Sequence, residues 1–276
     1  MENGKLYICP TPIGNLEDIT LRTLRILREV DIIAAEDTRH TIKLLNHYDI
    51  KKPLTSYHEH NIREKGIELI DKLKSGVNIA LLSDAGMPGI SDPGEDLIHL
   101  AIDEDIEVIV LPGPTASIAA LVASGLSTDK FVFEGFLSSR KKQRIDELKA
   151  LKDEKRTMII YESPHRLLDT LANMLEILGN RNIAIIRELT KIYEEIFRGN
   201  IEQGILKFSS QIIKGEFVLI IEGNKEETKE LDIDIEKELL KYINQGLSKK
   251  ESVKMVVKEF NLSKNEVYQK SLELDK

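Results

Sequence analysis

The stretch that decides the fold is LLSDAGMPGISDPG, residues 81–94. It begins at the end of a short apolar run and leads into an amphipathic helical stretch at residues 95–103. Three glycines and two prolines fall within it, which is more than a tight turn requires. At the carboxyl end of a parallel strand, such a loop lets the backbone approach a ligand closely. The stretch therefore predicts a ligand-binding loop in an α/β fold.

On both sides of this loop, short apolar runs alternate with amphipathic helical stretches, which is typical of α/β folds with mainly parallel strands. A turn rich in Pro and Gly, LPGPT at residues 111–115, then marks a domain boundary at about residue 114. We predict one doubly wound α/β domain at residues 1–113 and a second α/β domain, with some antiparallel pairing, at residues 114–224. The predicted strands are residues 5–9, 32–35, 79–82, 107–111, 131–134, 157–161, 183–187, 195–198 and 217–222. The predicted helices are residues 21–28, 39–47, 62–74, 95–103, 116–124, 141–152, 165–178 and 201–207.

The last segment, residues 232–276, has no strand pattern. Its apolar residues recur at helical spacing in three groups, and Ser248 and Ser263 stand where N-caps are expected. The pattern predicts a small three-helix unit that resembles a helix-turn-helix. Two interpretations stay open for this unit: contact with RNA or DNA, and a role in packing or dimerisation.

Composition narrows the class of protein. The chain has 276 residues, of which 41% are hydrophobic, and one cysteine, Cys9, so we expect folded domains without an intramolecular disulfide. The N-terminus does not resemble a signal peptide, and no apolar stretch approaches the roughly 20 residues that cross a bilayer. We therefore expect a cytoplasmic protein. The net charge of −8 disfavours indiscriminate nucleic-acid binding, but local basic patches can still bind RNA, and one such group comprises Arg140, Lys141, Lys142 and Arg144.

Several common active-site motifs are missing. The first strand is followed by CPTPIGN, residues 9–15, and not by Gly-x-Gly-x-x-Gly. Dinucleotide binding is therefore disfavoured, although Glu36 and Asp37 occur where such folds place a ribose-binding acid. The absence of Gly-Lys-Ser/Thr and of Gly-x-Ser-x-Gly argues against a nucleoside triphosphatase and a serine hydrolase. His58 and His60 lack a third ligand at a diagnostic spacing, so no metal site is predicted.

Polar clusters recur at the ends of predicted strands, and together with the glycine-rich loop they form eight blocks: residues 11–20, 35–39, 58–61, 83–94, 111–114, 161–166, 187–191 and 215–217. These blocks resemble the ribosomal RNA small-subunit methyltransferase I family within the tetrapyrrole (corrin/porphyrin) methylase superfamily. The matching blocks occur in order over residues 5–223, about four fifths of the chain. One departure is informative: GMP at residues 86–88 stands where many tetrapyrrole methylases have Gly-Asp-Pro, which tilts the substrate away from corrins.

The resemblance implies two α/β domains of the tetrapyrrole-methylase type, with S-adenosylmethionine bound in the cleft between them, and a homodimer. It also implies 2′-O-methylation of a cytidine, cytidine 1402, in the 16S ribosomal RNA of the small subunit. An apolar pocket with few polar anchors suits the adenine and the methionine chain. By position, the cofactor contacts fall on Pro12, Ile13, Met87, Ile90, Thr115, Ala116, Tyr161 and Phe217.

A ribose 2′-hydroxyl is a very weak acid, so such an enzyme needs a general base within hydrogen-bond reach. The candidates are Glu36, Asp37, Glu59 and Glu162. We favour Asp37 and Glu162 because basic side chains stand beside them, while a structural salt bridge is the alternative role for each. Candidate contacts to RNA phosphate or ribose are Arg39, Arg63, Arg166 and Arg187, with Arg140, Lys141 and Lys142 as outer electrostatic steering.

Two other functions remain open. The same fold supports methylation of a tetrapyrrole or another small molecule. A non-catalytic RNA-binding or assembly protein is the other alternative, although such a protein has no need of intact loops at residues 83–94 and 111–117.

Overall fold

The computed structural model describes residues 2–225, 234–260 and 264–274. The chain divides into two compact units, residues 1–224 and 225–276. The described residues of the first unit, 2–224, form two five-stranded sheets. Each sheet takes all its strands from one of the two sequence ranges predicted as α/β domains.

The first sheet is entirely parallel, with the strand order β3-β2-β4-β1-β5. Its strand β4 is buried along its whole length, as expected for a parallel strand covered on both faces. Helices α3 and α4 pack on one face and α1 and α2 on the other, so the sheet is doubly wound. The strands are β1 Leu6–Ile8, β2 Ile32–Ala35, β3 Leu54–Ser56, β4 Ile79–Leu82 and β5 Val108–Val110, and the helices are α1 Leu21–Glu29, α2 Thr38–His47, α3 Ile62–Lys74 and α4 Glu95–Asp103.

The second sheet is mixed, with the order β6-β7-β10-β8-β9. Strand β6 is parallel to β7, whereas β10 is antiparallel to both of its neighbours and β8 is antiparallel to β9, which confirms the predicted antiparallel pairing. Helices α6, α7 and α8 pack on one face and α5 on the other. The strands are β6 Phe131–Phe136, β7 Thr157–Glu162, β8 Asn182–Arg187, β9 Glu195–Asn200 and β10 Phe217–Ile221, and the helices are α5 Ala116–Ser124, α6 Lys141–Ala150, α7 Leu167–Leu178 and α8 Ile201–Ser209.

Over residues 234–260 and 264–274, the described part of the second unit has three helices, α9 Ile235–Asn244, α10 Lys249–Phe260 and α11 Lys264–Glu273. They pack on a small apolar core that includes Leu239, Val256 and Val267. The N–H of Glu251 donates to Ser248 Oγ over 3.4 Å at the start of α10, as predicted, while Ser263 lies outside the described residues. Within the described ranges, no helix has the length and apolar character needed to cross a membrane.

The structure corrects three sequence expectations. Strand β3 was not predicted, because it is a three-residue, half-buried edge strand. Strand β6 continues past residue 134 through an irregularity at Gly135, whose φ of +63° suits glycine. Arg144, placed with the surface cations, is only 4% exposed and donates Nε to Asn173 Oδ1 over 3.2 Å.

Candidate active site

A cavity of about 400 Å³ lies where the carboxyl-end loops of the first sheet meet the strand ends at one end of the second sheet. This is the region in which open α/β sheets bind ligands. The first sheet contributes the loops that follow β1, β2, β4 and β5, and the second contributes the ends of β6, β7 and β8 and the start of β10. The lining residues are Ile13, Glu36, Asp84 to Met87, Ile90 to Asp92, Thr115, Ala116, Phe136, Tyr161 to Pro164, Ile186, Leu189 and Glu216 to Val218.

Backbone hydrogen bonds fix the two loops that follow β1 and β4. The N–H of Thr11 donates to the carbonyl of Gly86 over 2.9 Å, and the N–H of Gly86 donates back to Thr11 over 3.0 Å. Gly86 has a φ of +78°, in the left-handed region that favours glycine. The Thr11 hydroxyl also donates to the carbonyl of Ser83 over 3.2 Å. These bonds hold the neighbouring residues Ile13 and Met87 at the cavity wall.

Helix α5 begins at the cavity. Thr115 is its N-cap residue, but its hydroxyl donates to the carbonyl of Gly113 over 3.3 Å and does not cap the helix. The N–H groups of a helix's first turn have no partner within the helix and attract polar or negatively charged groups. The wall formed by Thr115 and Ala116 therefore suits a polar ligand group.

Aromatic side chains form the opposite wall. The Tyr161 ring contacts the rings of Phe133 and Phe136 edge-on, with centroids 5.0 and 5.5 Å apart. Burial raises the pKa of the Tyr161 hydroxyl, so that group stays neutral near pH 7. Together with the buried ring of Phe217, these residues offer an apolar surface to a planar ligand group.

Carboxylates give the cavity its charge. Glu36 and Asp84 connect the loops after β2 and β4, because Glu36 Oε2 accepts the N–H of Asp84 over 3.2 Å and Asp84 Oδ1 accepts the N–H of Asp37 over 3.1 Å. Burial raises the pKa of Glu36 and of Asp92, and neighbouring carboxylates raise both pKa values further. A cavity lined by several acids favours a positively charged ligand group.

The four candidate bases lie in different surroundings. Asp37 is the N-cap of α2 and accepts three hydrogen bonds from Arg39, which hold its pKa well below the usual range. Glu59 is exposed and does not line the cavity. Glu36 combines a position in the cavity wall with a raised pKa. That combination suits a proton acceptor better than the ion-paired Asp37 does.

Glu162 lines the cavity, but internal contacts occupy its carboxylate. Its side chain is 0% exposed. Oε1 accepts the N–H of Ser163 over 2.7 Å and the guanidinium of Arg166 over 2.6 Å, and Oε2 accepts the hydroxyl of Thr170 over 2.6 Å. These contacts tie the end of β7 to the first turns of α7. Glu162 is therefore placed to position Ser163 and Pro164 in the cavity wall.

Comparison with known proteins identifies the family. The profile described as Tetrapyrrole (Corrin/Porphyrin) Methylases matches residues 5–204. The chain belongs to the tetrapyrrole methylase family. It is accordingly a methyltransferase, and its cavity lies at the carboxyl ends of the parallel strands, where open α/β sheets bind ligands.

Several curated proteins are similar to this methylase over nearly their whole length, and each is named Ribosomal RNA small subunit methyltransferase I. The protein from Halalkalibacterium halodurans is 52% identical, covering 97% of this chain and 94% of its own. The protein from Bacillus subtilis is 49% identical, covering 96% and 93%. The protein from Synechocystis is 47% identical and covers 99% of both chains.

Solved structures show the same fold at much lower identity. The crystal structure of diphthine synthase aligns with a TM-score of 0.63 at 14% identity, covering 80% of this chain and 90% of its own. Uroporphyrin-III-C-methyltransferase from Thermus thermophilus aligns with a TM-score of 0.56 at 19% identity, covering 79% and 94%. These likenesses extend to the fold alone.

The structure brings together most of the residues expected to contact the cofactor. Pro12 instead lines a smaller adjoining pocket of about 150 Å³. Three cavity acids, Asp84, Asp92 and Glu216, were not singled out from the sequence. Two of them lie inside the glycine-rich loop that was recognised as ligand-binding, so their position in that loop was the available signal. The expected contacts that line the main cavity are Ile13, Met87, Ile90, Thr115, Ala116, Tyr161 and Phe217.

The candidate RNA contacts divide into two groups. Arg166 and Arg187 are mostly buried, with 16% and 20% of their side chains exposed, and they pair with Glu162 and Glu195 respectively. Arg187 also donates Nε to the carbonyl of Lys214 over 2.7 Å. Both therefore act mainly on their neighbours. The candidate RNA contacts that are exposed form the second group: Arg39, Arg63, Arg140, Lys141 and Lys142.

Proposed function

We propose that this methylase transfers a methyl group from S-adenosylmethionine to the ribose 2′-hydroxyl of a cytidine, cytidine 1402, in the 16S ribosomal RNA of the small subunit. The observation that carries the proposal is the similarity, over nearly the full length, to proteins named Ribosomal RNA small subunit methyltransferase I. The absence of an acid at position 87, where Met87 stands, also favours RNA over a corrin.

The cavity fits S-adenosylmethionine. Its volume of about 400 Å³ lies within the usual range for small-ligand sites of roughly 300–1,000 Å³. Carboxylates in the wall complement the positive sulfonium and ammonium groups, and the apolar and aromatic wall suits the adenine. S-adenosylmethionine supplies a methyl group on a positively charged sulfur that is already a good leaving group. The residues that would hold it are Ile13, Met87, Ile90, Thr115, Ala116, Tyr161 and Phe217.

With a good leaving group in place, the protein has two tasks, to position the hydroxyl and to take its proton. We assign proton removal to Glu36, because its burial raises its pKa and makes it a stronger base than an exposed carboxylate. Asp37 and Arg39 shape the same loop, and Glu162 holds the opposite wall. The exposed cations Arg39 and Arg63, with the basic group at residues 140–142, would bind phosphates.

The test is transfer of labelled methyl from S-adenosylmethionine to small ribosomal subunits that lack their native methylations. Glu36→Gln keeps an oxygen that can accept the N–H of Asp84 but removes the base, so kcat should fall by about 10²- to 10⁴-fold with cofactor affinity nearly unchanged. Glu64→Gln, an exposed carboxylate outside the cavity, is the matched control. Weaker cofactor binding with normal turnover in Glu36→Gln would contradict the assignment.

A second candidate is methylation of a tetrapyrrole or another small molecule, which the family description favours. It moves to first place if the protein binds S-adenosylmethionine but labels neither subunits nor free ribosomal RNA. We also propose that the protein is cytoplasmic and forms a homodimer. Light scattering tests the dimer, because it measures the molar mass in solution.

A further inference from the structure

The loop between β8 and β9 carries two large apolar side chains in full contact with solvent. Ile192 is 94% exposed and Tyr193 is 79% exposed. A single exposed apolar residue needs no explanation, but two consecutive ones at a loop tip beside a ligand cavity suggest a contact surface. The loop runs from Glu188 to Glu194.

This loop is rigid. Lys191 Nζ lies 2.9 Å from Glu188 Oε1 and 2.9 Å from Glu216 Oε2. The N–H of Thr190 donates to Glu194 Oε2 over 2.6 Å, and the N–H of Glu194 donates to the carbonyl of Lys191 over 3.1 Å. Glu188 and Thr190 have φ values of +52° and +67°, which non-glycine residues keep only where the surroundings over-determine them.

The loop also touches both walls of the cavity. Leu189 of the loop lines the cavity, and so does Glu216, which pairs with Lys191 of the loop. On the first-sheet side, Gly14 packs so closely on the loop that a Cβ there would lie 2.4 Å from Lys191 Cγ and 2.8 Å from Thr190 Oγ1. The two exposed side chains are therefore displayed at a fixed place beside the cavity.

We propose that Ile192 and Tyr193 form a platform on which an unpaired base of the RNA substrate stacks, next to the nucleotide that is methylated. The inference rests on the function proposed above. Proteins that recognise single-stranded RNA stack its bases on aromatic side chains. A platform held by ion pairs loses little conformational freedom on binding, and this pre-organisation favours affinity.

A second copy of this chain is the other possible occupant of the loop tip. A stable protein interface buries about 800 Å² on each partner, which two side chains cannot supply alone. A single base needs only one exposed ring. The size of the exposed surface therefore favours the base.

The experiment compares Tyr193→Ala, Tyr193→Phe and the control Leu206→Ala, which removes a 73% exposed side chain from α8. Steady-state methylation of small subunits is measured against the concentration of subunits and, separately, of S-adenosylmethionine. Tyr193→Ala should raise the KM for subunits by about 10-fold, in line with the loss of one base-stacking contact. The KM for S-adenosylmethionine and the kcat should stay near wild type, and Tyr193→Phe and Leu206→Ala should behave as wild type.

An unchanged KM for subunits in Tyr193→Ala overturns the inference. So does an equal loss in Tyr193→Phe, which would point to the hydroxyl and not to the ring. If light scattering shows that Tyr193→Ala has a smaller molar mass than wild type, Tyr193 lies at a contact between two copies of this chain, and the inference is overturned. A wild-type protein that methylates no RNA overturns this inference and the proposed function together, whereas an active wild type with an unaffected variant overturns this inference alone.

Discussion

Replacing Glu162 with alanine should destabilise the first unit strongly. The Glu162 side chain is 0% exposed and its partner Arg166 is 16% exposed, so the substitution strands a largely buried guanidinium. It also leaves the hydroxyl of Thr170, a fully buried residue, without its 2.6 Å acceptor. Removing one partner of a buried ion pair typically costs about 3–5 kcal/mol. At roughly 2–4 °C per kcal/mol for a unit of this size, the melting temperature should fall by about 6–20 °C.

Chemical denaturation monitored by circular dichroism measures the free energy of unfolding, and thermal denaturation monitored in the same way measures the melting temperature. The matched control is Glu176→Ala, which removes an exposed carboxylate from α7, the helix that the Glu162 network contacts. It should change the free energy of unfolding by less than about 0.5 kcal/mol. If Glu162→Ala unfolds within about 1 kcal/mol of wild type, the positioning role of the Glu162 network is wrong. If Glu162→Gln folds normally and its kcat falls by about 10²- to 10⁴-fold while Glu36→Gln keeps the turnover of wild type, the base is Glu162 and not Glu36.

Two further predictions concern titrating groups. Burial and neighbouring acids raise the pKa of Glu36 above its ordinary value of 4.5, and a carboxylate must be ionised to accept a proton. We therefore expect kcat to rise with pH through a pH above 4.5. A profile of kcat against pH that is already flat at pH 4.5 would contradict this. Cys9 is 0% exposed and burial raises the pKa of its thiol to about 12. Iodoacetamide at pH 8 should therefore alkylate Cys9 only after the protein is denatured. Alkylation of the native protein within minutes, detected by mass spectrometry, would refute this expectation.

Elements with strong local signals were predictable from the sequence. The bounds of β2, β4, α3, α4 and α5 match the predicted ranges to the residue. Apolar runs or apolar periodicity define these elements, together with the polar, Gly or Pro residues that flank them. Strand β3 depends on pairing with β2 at the edge of the sheet. Its three half-buried residues form too short a pattern to predict that pairing. The end of β6 at Phe136 depends on its register with β7 across the irregularity at Gly135.

The location of the candidate site was predictable from the sequence, but the chemical roles of its side chains were less so. The glycine-rich loop indicated a ligand cavity because its composition exceeds what a turn needs. Glu36 and Asp37 are adjacent in the sequence, yet burial raises the pKa of one and Arg39 lowers that of the other. Burial and ion pairing depend on tertiary neighbours, so no local pattern separates such residues. The same reason explains why Arg144, within a basic run, is buried.

The most direct test of the proposed function is the chemical identity of the methylated nucleotide. Small subunits labelled by this protein with isotopically marked S-adenosylmethionine would be digested to nucleosides and analysed by mass spectrometry. We expect the label on 2′-O-methylcytidine. Label on a base, or on a nucleoside other than cytidine, would contradict it.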